Sequence, residues 1–322
     1  MKRLRLMLGI VLLGLPLWFV DWCDAIAVAM GTDPTLICFA VLILSINMPL
    51  SSGKWLLLLR VVQVRASFLD ALRAYWIGAF FSNYLPSNMG GDIVRFFVLR
   101  CEGRRAEAAS SIVIERLTGL FVLLLLALVA LIMRPQYFDT MGIGLVLWLL
   151  TLGSLGAILA VFFLERPLRR LLAKASLNWR GLTGKLVRVV DKMAQALAEY
   201  RKQPRAILVA LSLSLPFYGI LIVFQYLVLE AVGTELSLLE VSFIAPMIPL
   251  ISVIPVSVNG LGMAEGAFVL FYVQAGVPLE AAVAAALLRR VLALIVSLAG
   301  GLFWIGLPRQ IRYRRAAPSE LS

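Results

Sequence analysis

The sequence predicts an all-α polytopic membrane protein with about six full spans and two broken-helix hairpins that re-enter the membrane. Three observations predict this fold class. The 322 residues are 61% hydrophobic and only 15% charged, whereas soluble domains average about 25% charged residues. Several apolar runs approach the roughly 20 residues needed to cross a bilayer. Most of the 30 lysines and arginines fall in a few segments, and these alternate with segments almost free of them, which is the positive-inside pattern.

The predicted spans follow one another through short loops. In chain order they cover residues 6–27, 35–51, 108–132, 141–164, 206–231 and 280–306. The loops near 28–34 and 233–235 contain no lysine or arginine and are predicted to be external. Basic residues at both ends of the chain predict that the N- and C-termini lie in the cytoplasm.

Two basic segments are predicted to lie on the cytoplasmic side. Residues 52–73 interleave Lys and Arg with Leu and Val, which predicts an amphipathic helix at the membrane surface. Segment 165–205 is rich in basic residues and is predicted to be the large cytoplasmic connection. We therefore expect a single integral domain, 1–322, with approximate halves 1–164 and 206–308.

Two further apolar segments are interrupted by Pro, Gly and polar residues. The first break, Pro86–Asp92, lies within 74–100, and the second, Pro255–Glu265, lies within 239–275. The flanks predict that each segment enters and leaves the membrane on one face. Two such hairpins entering from opposite faces are the geometry of an inverted repeat. The alternative, in which both arms of each hairpin span fully, has the same parity, but arms of roughly 10–16 residues favour re-entry.

Composition argues against several classes of function. The chain contains no histidine, and its three cysteines are scattered without metal-ligand spacing. No phosphate-binding loop or dinucleotide-binding unit is present. We therefore predict no cofactor. The alternation of basic and apolar segments explains the net charge of +12 by topology and attraction to anionic lipid, and not by a nucleic-acid partner.

Seven ionisable residues fall within the predicted membrane segments. They are Asp92, Arg95, Glu115, Arg116, Glu265, Arg289 and Arg290. Because charge within a membrane is costly, each is a candidate functional residue. Cations outnumber carboxylates among them by one, which suits an anionic ligand such as a lipid phosphate.

The first break has the composition of a phosphate-binding helix start. Its candidate binding residues are Pro86, Ser87, Asn88, Gly90, Gly91, Asp92 and Arg95. Glycines allow a phosphate to approach the backbone, free N–H groups at a helix start attract it, and an arginine one turn later can clamp it. The alternative is that Asp92 and Arg95, three residues apart on one helix face, form only an intrahelical ion pair.

The second break resembles the first in composition. Asn259, Gly260, Gly262 and Glu265 repeat the pattern of a polar, glycine-rich turn before a carboxylate, although a simple turn between packed helices has the same composition. We expect Glu265 to pair with either Arg289 or Arg290. Since neighbours on a helix point about 100° apart, the other arginine is expected to face the substrate. Glu115 and Arg116 form either an interfacial pair or part of the site. Two glycine pairs predict close helix packing: Gly300–Gly301, and Gly153 with Gly156.

These motifs together resemble a known family. Leu85-Pro86-Ser87-x-x-Gly90-Gly91-Asp92-x-x-Arg95, then Glu115-Arg116, then Gly260-x-Gly262-x-x-Glu265-Gly266, then Arg289 before Gly300-Gly301, is similar to the lysylphosphatidylglycerol synthase transmembrane region. The resemblance covers roughly residues 5–305. It implies a flippase-like protein that moves a lipid, or a lipid-linked headgroup, between leaflets. The bifunctional relatives add a soluble acyltransferase-like domain that this sequence lacks, so lysyl transfer is not expected.

The functional expectation is therefore a lipid translocase that binds an anionic headgroup near the bilayer midplane, and not an enzyme. Its expected partners are membrane lipids. Two alternatives remain open: a membrane anchor for a lipid-synthesis enzyme or glycosyltransferase, and a lipid-modifying enzyme that uses Asp or Glu as a general base.

Overall fold

The computed structural model describes residues 31–84, 90–99, 104–138, 143–158, 199–200, 202–252 and 262–306. Within these residues the secondary structure is helical and contains no strand. The helices are α1 Pro34–Val61, α2 Phe68–Tyr84, α3 Gly90–Val98, α4 Arg105–Met133, α5 Ile143–Ile158, α6 Pro204–Ala231, α7 Leu238–Ile244, α8 Met247–Ser252, α9 Met263–Gln274 and α10 Leu279–Ile305. A short 3₁₀ turn, Pro135–Tyr137, follows α4. The predicted first span, 6–27, lies outside the described residues.

In the part of the chain that the structure describes, four helices are long and apolar enough to cross a membrane: α1, α4, α6 and α10. Each has 27 to 29 residues, which at 1.5 Å per residue is about 40 Å and exceeds the roughly 30 Å of bilayer hydrocarbon. Large apolar side chains such as Leu42 and Leu302 are exposed on these helices, as expected for a surface that faces lipid. The chain is thus a polytopic, all-helical membrane protein in its described part.

Helix α1 is longer than predicted, and the prediction of an interfacial helix over 52–73 is wrong. The helix continues past Pro49 to Val61 without a break. Its last turns lie in the protein core and not at the membrane surface, because Trp55, Leu58 and Leu59 are fully buried. A lysine within this stretch suggested a cytoplasmic segment, but Lys54 is itself buried. Helix α2 then begins at Phe68, six residues before the predicted start of the first hairpin.

The basic residues that flank the first broken segment, α2–α3, lie at one end of the helix bundle. The Arg104 guanidinium, just before α4, donates to the main-chain oxygen of Val62, just after α1, at 3.3 Å. The Tyr200 hydroxyl, before α6, donates to the main-chain oxygen of Leu58 at 3.0 Å. The chain therefore leaves α1 and enters α4 at the same end of the bundle, which we call the basic end.

The opposite end of the bundle, called the distal end, holds both ends of the second broken segment, α7–α9. The Tyr137 hydroxyl donates to Glu240 at the start of α7 at 3.1 Å, and the Gln274 amide at the end of α9 donates to the main-chain oxygen of Gln136 at 3.3 Å. Desolvation, reinforced by the bond to Glu240, raises the pKa of Tyr137, so the phenol remains a donor at neutral pH. A single turn after α4 thus contacts the beginning and the end of α7–α9.

Helices α2 and α10 pack in close contact, as the glycine pair Gly300–Gly301 predicted. A β-carbon on Gly300 would overlap the main-chain oxygen of Trp76, and one on Gly301 would lie 3.1 Å from the Phe80 ring. The other glycine pair differs: no atom of the described chain lies within 4 Å of a β-carbon built on Gly153 or Gly156. The predicted packing at this second pair is therefore not found in the described chain.

Candidate functional site

The first network of ion pairs is centred on Arg95 of α3. Its Nη2 lies 3.1 Å from Asp92 Oδ1 and 2.8 Å from Glu115 Oε2 on α4. Asp92 also pairs with Arg116 of α4. Arg95 and Glu115 are buried, with 4% and 6% of their surface exposed. The predicted Asp92–Arg95 pair is confirmed, and all four candidate ionisable residues of the first half belong to one network.

Two aromatic rings enclose the Arg95 guanidinium. Its carbon Cζ lies 4.8 Å from the centroid of the Trp55 ring and 4.9 Å from that of the Tyr75 ring, within cation–π range. The Tyr75 hydroxyl donates to Glu115 Oε1 at 2.9 Å, and Trp55 Nε1 donates to the Ser111 hydroxyl at 2.9 Å. The helices α1, α2, α3 and α4 thus jointly fix one cation.

Lys54 of α1 is a member of this site that sequence analysis missed. Its ammonium donates to the Ser214 hydroxyl at 2.7 Å and to the main-chain oxygen of Glu115 at 3.2 Å. The residue is 7% exposed. No carboxylate of the described residues lies within 4.0 Å of its Nζ. The signal that could have found it is the apolar run from Trp55 to Leu59, which continues the membrane span beyond the lysine.

The first network carries a cation in excess. It contains three cations, Lys54, Arg95 and Arg116, and two carboxylates, Asp92 and Glu115. Exposure increases along it, because the side chain of Arg95 is 5% exposed, that of Asp92 19% and that of Arg116 54%. The network therefore leads from a buried positive charge to an accessible one, which is a suitable electrostatic setting for an anion.

Gly91 of the first break lies at a contact between two helices. A β-carbon on Gly91 would collide with the main-chain oxygen of Gly78 and with the Ser82 hydroxyl, so the backbones of α2 and α3 touch at this point. The phosphate contact predicted for Gly91 from the sequence stays a prediction, and the structure adds a helix–helix contact at the same residue. Gly90, the first residue of α3, is also buried. Pro86, Ser87 and Asn88 lie outside the described residues.

A second network surrounds Glu265 at the start of α9. Its Oε2 accepts a hydrogen bond from the main-chain N–H of Gly262 at 2.9 Å, and Gly262 has φ of +81°, which favours glycine. Its Oε1 lies 3.7 Å from Arg290 Nη1 and has no hydrogen-bond partner in the described chain. Glu265 therefore pairs with the second of the two adjacent arginines. Asn259 and Gly260 lie outside the described residues.

Arg289 points differently from Arg290, as their adjacency on α10 requires. Its carbon Cζ lies 5.3 Å from the centroid of the Phe268 ring. Its Nε is buried and, among the described residues, has no hydrogen-bond partner. The second network has two cations and one carboxylate, so it too carries one cation in excess, and Arg289 Nε is a donor without a hydrogen-bond partner in the described chain.

The two networks are separate in their ion pairs but share a structural support. Among ion pairs of the described residues, none joins a member of one to a member of the other. Helix α10 carries Arg289 and Arg290, and about three turns further on its Gly300 rests against α2 of the first hairpin. The position of the first hairpin is therefore mechanically linked to the helix that bears the second pair of cations.

Known proteins with similar sequences are membrane proteins. A UPF0104 membrane protein of Methanothermobacter thermautotrophicus is 25% identical over 283 residues, which cover 81% of each chain. The UPF0104 membrane protein PH1989 of Pyrococcus horikoshii is 23% identical over 323 residues, which cover 94% of this chain and 96% of the relative. No solved structure matches the chain significantly. The family model described as the lysylphosphatidylglycerol synthase TM region matches residues 4–301, nearly the entire chain, and the protein therefore belongs to this family.

Proposed function

We propose that this protein binds the anionic headgroup of a membrane lipid and carries it between the two leaflets without covalent chemistry. The first network is the observation that supports this function most strongly. Two carboxylates and three cations sit between apolar helices, although burying charge costs several kcal/mol per ion. Charge within a membrane protein is retained where it binds or moves something charged, and the cation in excess favours an anion.

The arginines of the first network suit a phosphate. Arg95 uses Nη2 for both of its carboxylates, while its Nε has no hydrogen-bond partner in the described chain. The planar guanidinium has five N–H donors, so it can bind a phosphate as a third oxyanion, which then competes with the two carboxylates that it already holds. Arg116, the exposed member, is the first cation that an entering headgroup meets.

The path across the bilayer follows from the two broken segments. We infer that α2–α3 and α7–α9 are re-entrant hairpins that enter from opposite faces as an inverted repeat. The contacts of the basic and distal ends support this arrangement. The nine residues of α3 and the 12 of α9 span only about 14 and 18 Å as helices, less than the hydrocarbon thickness. The lipid tails remain in the bilayer while the headgroup follows the charged residues.

The basic end of the bundle is assigned to the cytoplasm. Arg60, Arg65 and Arg104 lie near this end, and an excess of such residues marks the cytoplasmic face. We further propose that both termini are cytoplasmic and that the whole chain is one integral domain in the inner membrane of a bacterium. The names of the relatives describe them only as membrane proteins.

A leaflet-exchange assay tests the proposed function. The purified protein is placed in liposomes that contain a fluorescent anionic phospholipid, and a membrane-impermeant quencher measures the rate at which inner-leaflet lipid reaches the outer leaflet. Arg95→Ala and Asp92→Ala are expected to remove most of the protein-dependent rate. Arg60→Ala, an exposed arginine on α1, is the matched control and should exchange lipid like the wild type. Equal lipid-exchange rates in the wild type and all three variants would rule out the site.

The same preparation separates the proposed function from its two alternatives. If the lipid is chemically changed during the incubation, the protein is a lipid-modifying enzyme. If the pure protein exchanges no lipid but co-purifies from membranes with one lipid-synthesis enzyme or glycosyltransferase, it is an anchor. Exchange of unmodified lipid by the pure protein alone supports the translocase.

A further inference from the structure

Lys54 is a buried cation whose hydrogen-bond acceptors within the described residues are both neutral groups. Its ammonium is held by the Ser214 hydroxyl and by the main-chain oxygen of Glu115. The carboxylate of that same glutamate is occupied by Arg95 at 2.8 Å and by Tyr75 at 2.9 Å. The lysine therefore contacts the main chain of Glu115, while the carboxylate of that residue pairs with Arg95. A lysine has a flexible four-carbon stem and three rotatable donors, so its Nζ can move between acceptors of one residue.

Binding of an anionic ligand at Arg95 would disturb the ion pair between Arg95 and Glu115. In the proposed function, a headgroup phosphate competes with Glu115 for the Arg95 guanidinium. If Arg95 turned to the phosphate alone, the Glu115 carboxylate would be left buried without a cation, which is strongly unfavourable. We propose that Lys54 is the exchange counter-ion of Glu115: when an anionic headgroup recruits Arg95, the Lys54 ammonium leaves Ser214 and pairs with the Glu115 carboxylate. This inference rests on the proposed binding of an anionic lipid.

The test is a double-mutant cycle on lipid binding by the full-length protein in detergent. The probe is a short-chain phosphatidylglycerol, and short-chain diacylglycerol is the uncharged comparator. Lys54→Met is expected to weaken probe binding about 10-fold or more, because Glu115 then has no replacement cation. Glu115→Gln removes the charge that needs a replacement cation. Adding Lys54→Met to the Glu115→Gln variant should therefore change the affinity for the probe by less than about 3-fold. Lys202→Met, which removes an exposed lysine, is the matched control and should bind like the wild type.

A purely structural role for Lys54 predicts a different result. If the lysine only ties α1 to α6, its loss weakens binding by the same factor with and without the Glu115 charge, and that additivity would overturn the inference. Ser214→Ala adds a variant that keeps all charges. It removes the resting partner of the ammonium, so binding should become tighter by a few-fold, whereas a structural tie predicts weaker binding. If the wild type binds the probe no better than the comparator, the proposed function itself fails. If it binds well and the cycle is additive, only the role of Lys54 fails.

Discussion

At the scale of single residues, the Arg95 guanidinium joins two carboxylates that come from different helices. Asp92 lies three residues before it on α3, and Glu115 lies on α4. The rings of Trp55 and Tyr75 exclude water from the guanidinium, so its attraction for both carboxylates acts in a low dielectric. The same residue that binds the ligand in our proposal therefore also stabilises the empty protein.

Arg95→Met tests this structural role. The substitution leaves Glu115 buried without a cation, and loss of one partner of a buried pair costs about 3–5 kcal/mol. We expect the midpoint of thermal unfolding in detergent to fall clearly, and to recover in part when Glu115→Gln is added. Arg60→Met, in which an exposed arginine is lost, serves as the control. A midpoint as high as that of the control would show that the network does not stabilise the fold.

Arg116→Gln separates binding from stability. The Arg116 side chain is 54% exposed, and exposed ion pairs contribute only about 0–1 kcal/mol to stability. We expect the unfolding midpoint to change little and the affinity for a short-chain anionic phospholipid to fall about 10-fold, as loss of a charged hydrogen bond implies. Calorimetric titration of both proteins measures the affinity. Unchanged affinity together with a large loss of stability would assign Arg116 to the fold alone.

The sequence predicted four of the five charged members of the first network and the Asp92–Arg95 ion pair, but not the contacts that join them to other helices. Asp92, Arg95, Glu115 and Arg116 were found because charge is rare in membrane segments. Lys54 was missed because a lysine beside apolar residues is usual at a membrane surface, and its burial depends on Ser214, 160 residues away in the chain. Contacts of that sequence separation follow from helix packing, which a single sequence does not show.

At the scale of helices, the two arms of the first hairpin are held together through glycine. The backbones of α2 and α3 touch at Gly78 and Gly91, and this contact places Asp92 and Arg95 of α3 beside α4. Helix bounds were largely predictable from hydropathy: α6 was expected at 206–231 and is Pro204–Ala231. The end of α1 was not, because Lys54 and Arg60 made its last turns resemble a surface segment.

Gly91→Ala tests the importance of this helix contact. The added methyl group would collide with the main-chain oxygen of Gly78, and overpacking of this kind costs roughly 1–3 kcal/mol. We expect a lower unfolding midpoint and slower lipid exchange, because α3 moves with its charges. Gly219→Ala on α6 is the matched control, since no atom of the described chain lies within 4 Å of its added β-carbon. Exchange at the wild-type rate in Gly91→Ala would mean that the spacing of α2 and α3 is not needed for function.

At the scale of the whole molecule, the two ends of the bundle anchor different hairpins. The Arg104–Val62 contact anchors the first at the basic end, and the Tyr137–Glu240 contact anchors the second at the distal end. Helix α10 connects them, because it packs on α2 through Gly300 and carries Arg289 and Arg290. A shift of the first hairpin would therefore act on the helix that holds the second group of cations, which is the coupling that our proposed function requires.

Cysteine labelling tests this arrangement of the two ends. Single cysteines are introduced at Arg65, Glu107, Glu235 and Glu280, in a background from which Cys23, Cys38 and Cys101 are removed. A membrane-impermeant maleimide added to intact cells should label positions 235 and 280 and leave 65 and 107 unlabelled until the membrane is opened. Labelling of 65 without 107, or of 235 without 280, would show that a broken segment crosses the membrane.

The most direct test of the central claim is an experimentally determined structure of the protein in a bilayer that contains anionic phospholipid. We predict density for a phosphate within hydrogen-bond distance, about 3 Å, of the Arg95 and Arg116 guanidinium groups, with the Lys54 ammonium turned toward the Glu115 carboxylate. A headgroup bound only at the bilayer surface, while Arg95 remains paired with Asp92 and Glu115 in well-ordered helices, would contradict the account.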